Sequence, residues 1–385
     1  MPKDIVFMPL GGGQRVGASC YYLRLGDSNI LLDAGIGKEK GLLFEPNIYS
    51  LLTSKFMESP NQIHQIYVSH AHFDHSGFLP ELLRQARIAN VYMTSVTSLL
   101  IEYQLYDKKY FSGNQLTYCE EERLAMKMLF EKISKVSYMQ KMDFGQYKVT
   151  FLPAGHIPGA MMILFEYGKK KILYTGDYSI RGTELTKGCI VPEGLEVDIV
   201  IMCGLHAKHS NYKHKEDILY KSIQEVYRTI KQDKVSIQCP VIQLSKGIEL
   251  IKLFQKYNEE KIPIYLDTST MEVVQKMEQL SIPILDENTH IMLDKTPKEP
   301  HIYITSRRSS NAGKNYKKMK IDFSLHEDFY QMKEFLKRLN PKYAVIVHCD
   351  SPIDDTVETI EQLMMLDGES RTQFIFAEEN ELYQL

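Results

Sequence analysis

The chain has 385 residues, 44% of them hydrophobic, which is enough to build full cores in one large domain or two ordinary ones. A formal net charge of −3 excludes a generally basic nucleic-acid binder, although a local basic patch can still serve. No long apolar run of signal-peptide type follows Lys3, no later stretch approaches bilayer-spanning length, and the six cysteines form no Cys-x-x-Cys pair; an unexported chain without a membrane segment, in a reducing cytoplasm, is the expectation.

Residues 5–35 read as strand, glycine turn, strand, turn and strand: Ile5-Val6-Phe7-Met8, Gly11-Gly12-Gly13, Cys20-Tyr21-Tyr22-Leu23 and Ile30-Leu31-Leu32-Asp33. The glycine cluster resembles a phosphate loop only superficially, because no Gly-Lys-Ser/Thr follows and no helical pattern opens there. Asp33 ends an apolar strand before Ala34-Gly35, where its carboxylate can meet a neighbouring loop or cap its own turn.

The stretch Ser69-His70-Ala71-His72-Phe73-Asp74-His75-Ser76-Gly77 follows the apolar run Ile66-Tyr67-Val68 and reads as a loop leaving a strand end. His70 and His72 are two apart, so in extended chain both imidazoles point the same way and can grip one cation. Asp74 and His75 are adjacent, and a turn there can aim both at a second cation. Imidazole and carboxylate suit zinc. With only 12 histidines in the chain, three in this register form a pattern that chance does not readily supply, but the site needs ligands from elsewhere.

From Leu79 to about 145 the pattern becomes helical, with a long charged and apolar alternation over 120–135. Two strand-like runs then end in Pro153-Ala154-Gly155-His156 and in Thr175-Gly176-Asp177, each placing a ligand type just past a strand end. Near the C-terminus, Ser324-Leu325-His326-Glu327-Asp328 precedes a helical pattern, Phe329-Met332-Phe335-Leu336-Leu339, and then the strand Tyr343-Ala344-Val345-Ile346-Val347, which runs into His348.

These residues together resemble the five motifs of metallo-β-lactamase-fold hydrolases: Asp33, His70-x-His72-x-Asp74-His75, His156, Asp177 and a late histidine. The Ser324-x-His326 and Ile346-x-His348 segments are similar to motifs of the β-CASP nucleases, the subfamily that includes RNase J and the pre-mRNA 3′-end endonuclease. Further similarities are Leu10-Gly-Gly-Gly-Gln14-x-Val16-Gly17-x-Ser19-Cys20, His156-x-x-Gly159-Ala160, Tyr174-Thr-Gly-Asp-Tyr-Ser179 and Lys246-x-x-Glu249-Leu250.

The resemblance implies an α/β fold: an αββα sandwich over 1–204 and 321–385, with a β-CASP cap domain inserted over 205–320. Strands are expected there at 241–244, 264–266 and 302–305, alternating with helices at 216–231, 247–260 and 269–280. It also implies two Zn2+ ions: His70, His72 and His156 on one, Asp74, His75 and His348 on the other, Asp177 bridging, and Asp33 orienting the loop. His326 would be the general acid. The implied reaction is hydrolysis of single-stranded RNA held between the two domains, with DNA as the alternative polymer, and a homodimer is compatible with it. The extra terminal domains of RNase J are not expected.

Two departures from the family pattern stand out. An acid expected to support the Ser-x-His histidine is replaced by Cys203. The family's phosphate-cradling loop appears as Ser306-Arg307-Arg308-Ser309-Ser310-Asn311-Ala312-Gly313. From 307 to 320 there are six basic residues and no acidic one, so Lys246, Ser306, Arg307, Arg308, Lys314, Lys317 and Lys318 are the expected nucleic-acid contacts. The cluster Cys203, His206, His209 and His214 fits no standard zinc module and reads as a loop. Rival classes sharing the ligands are a thioester or lactone hydrolase, which needs neither cap nor His326, and a catalytically weakened binding homologue.

Overall fold

The computed structural model describes residues 5–54, 56–106, 124, 126–127, 130–131, 133–209, 216–293, 296–306, 316–349, 359–366 and 372–385. The chain divides into two compact units, one of Met1–Arg181, Gly188–Lys213 and His326–Leu385, the other of Gly182–Lys187 and His214–Leu325.

The first unit begins with the strands β1 (Ile5–Gly11), β2 (Cys20–Leu25), β3 (Ser28–Leu32), β4 (Gly37–Glu39), β5 (Leu42–Phe44), β6 (Gln65–Tyr67), β7 (Asn90–Thr94) and β8 (Ser134–Val136). It continues through β9 (Lys141–Asp143), β10 (Tyr147–Pro153), β11 (Met161–Tyr167), β12 (Lys170–Tyr174) and β13 (Ile199–Cys203). The second unit contributes β14 (Ser236–Val241), β15 (Ile264–Leu266), β16 (Thr289–Ile291), β17 (Ile302–Ser306) and β18 (Tyr316–Lys318). The first unit then resumes with β19 (Tyr343–Val347), β20 (Gln373–Phe376) and β21 (Tyr383–Gln384).

Two seven-stranded sheets form the first unit, in the orders β21-β1-β2-β3-β6-β7-β8 and β20-β19-β13-β12-β11-β10-β9. Alternate residues of each, including Phe7, Tyr21, Leu23 and Tyr67 from one and Val149, Phe151, Ile163, Phe165 and Val345 from the other, make one shared core between the sheets. Residues of the opposite parity, such as Leu152, Leu31 and Val200, are buried too. Both sheet faces are therefore covered, which is why these strands read as continuous apolar runs rather than clean alternation. The helix Phe329–Leu339 starts on an Asp328 capping box with Gln331, turns its five predicted apolar residues inward and stops at Asn340 in a left-handed conformation.

The second unit has a five-stranded sheet ordered β16-β15-β17-β14-β18, with every pairing parallel. Its strands β15 and β17 lie where the pattern put them, but 241–244 is not a strand. The strand is Ser236–Val241, and a π-helical turn, Gln243–Gly247, follows it. Pro240 disguises this strand, since proline donates no ladder bond. It is tolerated because β18 pairs with β14 only at Ser236, Ile237 and Gln238, so one side of Pro240 has no partner strand to satisfy. Of the helix expected over 120–135, half lies outside the described residues, and Ser134–Val136 is strand paired to β7.

Candidate metal centre

The site is assembled at the ends of β3, β6, β10, β12 and β19. Asp33 sits just past β3 with φ +61°, in the left-handed region, and is fully buried. Its Oδ1 accepts the Ser69 N–H at 2.6 Å, and its Oδ2 accepts the Ser69 hydroxyl at 2.7 Å, His75 Nδ1–H at 2.7 Å and the Tyr174 hydroxyl at 2.6 Å. A carboxylate is acceptor-only, so His75 carries a proton on Nδ1, which makes Nε2 the nitrogen whose lone pair a cation would take. The Ser69 hydroxyl has given its proton to Asp33 and so accepts from His70 Nδ1, 3.0 Å away, which leaves the His70 Nε2 lone pair facing inward. One carboxylate thereby sets two tautomers. Gly35 completes this corner, because any Cβ there would fall on the Asp74 carbonyl.

His348 enters from the end of β19, also with positive φ, at +49°. Its N–H donates to Gly12 O at 2.6 Å and the Cys349 N–H to Gly13 O at 3.2 Å. The glycine cluster is thus a backbone cradle for the late histidine: Gly12 has φ +67°, and a side chain there would strike Ser19 and Tyr21. Ser19 was not singled out in sequence as a site residue, yet its Oγ lies 3.0 Å from His348 Nδ1 and 3.4 Å from His75 Nε2. Its only sequence signal was its place in the shared stretch that ends at Cys20.

Ligand-type atoms of His70, His72, His156 and Asp177 lie within 4.8 Å of one another, as do those of Asp74, His75 and His348, and those of Asp177, Cys203 and His326. Asp177 Oδ2 is 3.6 Å from His70 Nε2, 3.4 Å from His75 Nε2, 3.7 Å from His156 Nε2 and 3.7 Å from His326 Nε2. His348 Nε2 is 3.9 Å from Asp74 Oδ2. His70 Nε2, His72 Nε2 and Asp177 Oδ1 are buried without hydrogen-bond partners. Three orphaned buried atoms are costly unless a cation satisfies them, so the residues fit a metal.

Burial pushes the imidazoles of His70 and His326 well below the ordinary range and that of His72 to about 4, with neighbouring histidines adding to it. For His75 burial acts the same way, but the Asp177 and Asp33 carboxylates outweigh it and raise the imidazole. Burial would raise Asp177; the facing imidazoles of His75, His348 and His326 outweigh it and hold its carboxyl well below the carboxylate range.

Cys203, in place of the family's acid, has its Sγ 3.7 Å from His326 Nδ1, and burial raises its thiol well above the ordinary range. A neutral thiol, not a carboxylate, supports the imidazole. The neighbouring Glu327 is buried and accepts the Ile180 N–H, tying the Ser-x-His segment to the loop after Asp177. Sequence reasoning passed over it.

The expected nucleic-acid contacts are in the second unit or undescribed. Lys246 pairs with Asp322 at 3.4 Å, Ser306 N–H donates to Asp267 Oδ2 at 2.8 Å, and Lys317 and Lys318 are exposed on β18. Arg307, Arg308 and Lys314 lie outside the described residues, as does His214. His206 and His209 have rings 6.2 Å apart and join no ligand cluster among the described residues.

Residues 13–199 match the model of the Metallo-beta-lactamase superfamily. The chain carries a metallo-β-lactamase domain. The domain's curated relatives include "Endoribonuclease ysh-1" of Neurospora crassa, 26% identical over 301 residues and covering 74% of this chain and 34% of that protein. "Probable RNase MJ4" of Methanocaldococcus jannaschii is 28% identical over 276 residues, covering 71% and 61%. "RNase aCSPSF2" of Saccharolobus solfataricus is 28% identical over 271 residues, covering 70% and 52%. The chain thus spans between 34% and 61% of the length of these relatives. Among solved structures, a protein of unknown function from Enterococcus faecalis superposes with a TM-score of 0.65 over 99% of this chain and 100% of its own at 13% identity, a likeness of fold. Among the described residues no helix is long and apolar enough to cross a membrane.

Proposed function

We propose that the chain is a di-zinc phosphodiesterase that hydrolyses single-stranded RNA. The observation that carries this reading is the convergence of four histidines, His70, His75, His156 and His326, on one buried carboxylate, Asp177, with His72 in the same cluster and Asp74 and His348 grouped beside His75. The endonuclease and RNase names of the relatives support the choice of RNA.

His70, His72 and His156 would hold one zinc and Asp74, His75 and His348 the other, with Asp177 shared. Zinc bound there supplies Lewis-acid polarisation of a phosphoryl oxygen and a water acidified towards neutrality. Asp33 keeps His75 and His70 in the tautomers that leave their Nε2 atoms unprotonated. His326 is aimed at the site by Cys203 on its Nδ1 side and is the candidate to donate a proton to the leaving oxygen. Burial keeps it neutral in the free protein, and a phosphate anion brought beside it favours the protonated form. Substrate phosphates would be drawn by Arg307, Arg308, Lys314, Lys317 and Lys318.

Incubation with end-labelled single-stranded RNA tests the reading: cleavage without added nucleotide, stopped by a chelator and restored by zinc, is expected. Hydrolysis of thioesters or lactones with RNA untouched would overturn it.

A further inference from the structure

The three residues grouped for the second ion, Asp74, His75 and His348, share a neighbour that the proposed chemistry does not use. Ser19 immediately precedes β2 and is fully buried. Its N–H donates to Asp74 O at 2.9 Å, and its Oγ lies 3.4 Å from His75 Nε2 and 3.0 Å from His348 Nδ1. One side chain and its peptide thus touch all three.

Ser19 is itself held firmly. The Gly35 N–H donates to Ser19 O at 2.9 Å. Ala18 before it is buried with φ +52°, a left-handed conformation that a residue with a side chain keeps only where the surrounding structure imposes it. Gly11 packs onto this turn so closely that a Cβ there would fall 2.4 Å from the Ala18 carbonyl oxygen. The hydroxyl is therefore presented from a fixed backbone.

His348 is fixed on two sides. Its N–H donates to Gly12 O at 2.6 Å, and the same carbonyl accepts the Tyr21 hydroxyl at 2.9 Å. Its ring meets Ser19 through Nδ1. A neutral imidazole has one donor and one acceptor nitrogen, and a hydroxyl can accept whichever way its own proton turns. With the ring proton on Nδ1 and directed at Ser19 Oγ, the lone pair is on Nε2, the atom 3.9 Å from Asp74 Oδ2. With the proton on Nε2, Ser19 would donate to Nδ1, and no lone pair would face Asp74.

Histidines that hold a metal commonly give their other N–H to an oxygen, which sets both tautomer and ring orientation. We propose that Ser19 is a positioning residue for the second ion: its hydroxyl accepts the Nδ1 proton of His348 and fixes Nε2 as the ligand atom, while its N–H holds the Asp74 turn opposite. This role rests on the two-metal reading above and divides the work of positioning. Asp33 serves His75 directly and His70 through Ser69, and Ser19 serves His348.

The test is stepwise zinc titration of the full, chelator-stripped chain in competition with a chromophoric chelator. The native chain should bind about two ions. Ser19→Ala should weaken one of them by about 10- to 100-fold and leave the other unchanged, and the weakened ion should be the one lost in His348→Gln. Equal weakening of both ions, or native affinity for both with a lowered thermal midpoint, makes Ser19 an ordinary structural residue and overturns the role. A second measurement needs no Ser19 variant. In long-range 1H–15N spectra of the zinc-loaded native chain, with His348→Gln assigning the signal, His348 should carry its proton on Nδ1. A proton on Nε2 overturns the role even if Ser19→Ala fails to fold. A native chain that binds one ion or none overturns the two-metal reading, and the role of Ser19 falls with it. Two ions bound by the native chain, with unaltered affinities in Ser19→Ala, overturn the role of Ser19 alone.

Discussion

Replacing Asp33 with Asn changes no volume but forces a choice. The Oδ1 position faces the Ser69 backbone N–H at 2.6 Å, and the Oδ2 position faces three donors, Ser69 Oγ, His75 Nδ1 and Tyr174 Oη, at 2.6 to 2.7 Å. With the amide oxygen at Oδ2, the amide nitrogen meets a backbone donor that cannot turn. With the nitrogen at Oδ2, it meets His75 Nδ1–H. Either way a buried donor loses its acceptor, at a cost of about 1–3 kcal/mol. In the second arrangement the strain is relieved if the His75 proton moves to Nε2, the atom 3.4 Å from Asp177 Oδ2. That atom then has no lone pair for a cation. Metal affinity should fall by about 10- to 100-fold, measured by competition with a chromophoric chelator, while urea unfolding shows the loss of about 1–3 kcal/mol. An Asp33→Asn protein with native metal affinity would refute the tautomer argument, whatever its stability.

Substituting His326→Ala should leave zinc content near native while lowering turnover on RNA by about 10² to 10⁴, read by metal analysis and single-turnover cleavage; native turnover would make His326 structural. The chelator-treated protein should lose stability as pH falls from 6.5 towards about 4, because unfolded imidazoles take up protons in that window while buried His72 refuses them until about 4, and His70 and His326 are shifted in the same direction. His75, raised, contributes fully throughout that window, and Asp177, lowered, loses its contribution only below 3.8, so neither reverses the sign. Thermal unfolding at pH 7 and pH 5 in chelator checks this, and equal midpoints would contradict it.

The sequence by itself determined the candidate ligand types and where each stands along the chain. Histidine and aspartate at His70, His72, Asp74, His75, His156, Asp177 and His348 all fall at or just past a strand end, and that placement follows from local patterns of apolar run and turn. The helix at 329–339 was equally legible, since its stripe of five apolar residues and its Asp328 cap are local features. The strand at 236–241 was not, because Pro240 contradicts the local pattern and only the short reach of β18 permits it.

Only the tertiary structure decided which side chains meet. That Asp33 takes donors from Ser69, His75 and Tyr174 depends on β3, β6 and β12 ending at one corner of two facing sheets, and sequence spacing carries no such information. The same holds for the glycine cluster, whose carbonyls receive the His348 loop from 336 residues away in the case of Gly12, and for Cys203, which faces His326 where a carboxylate was expected.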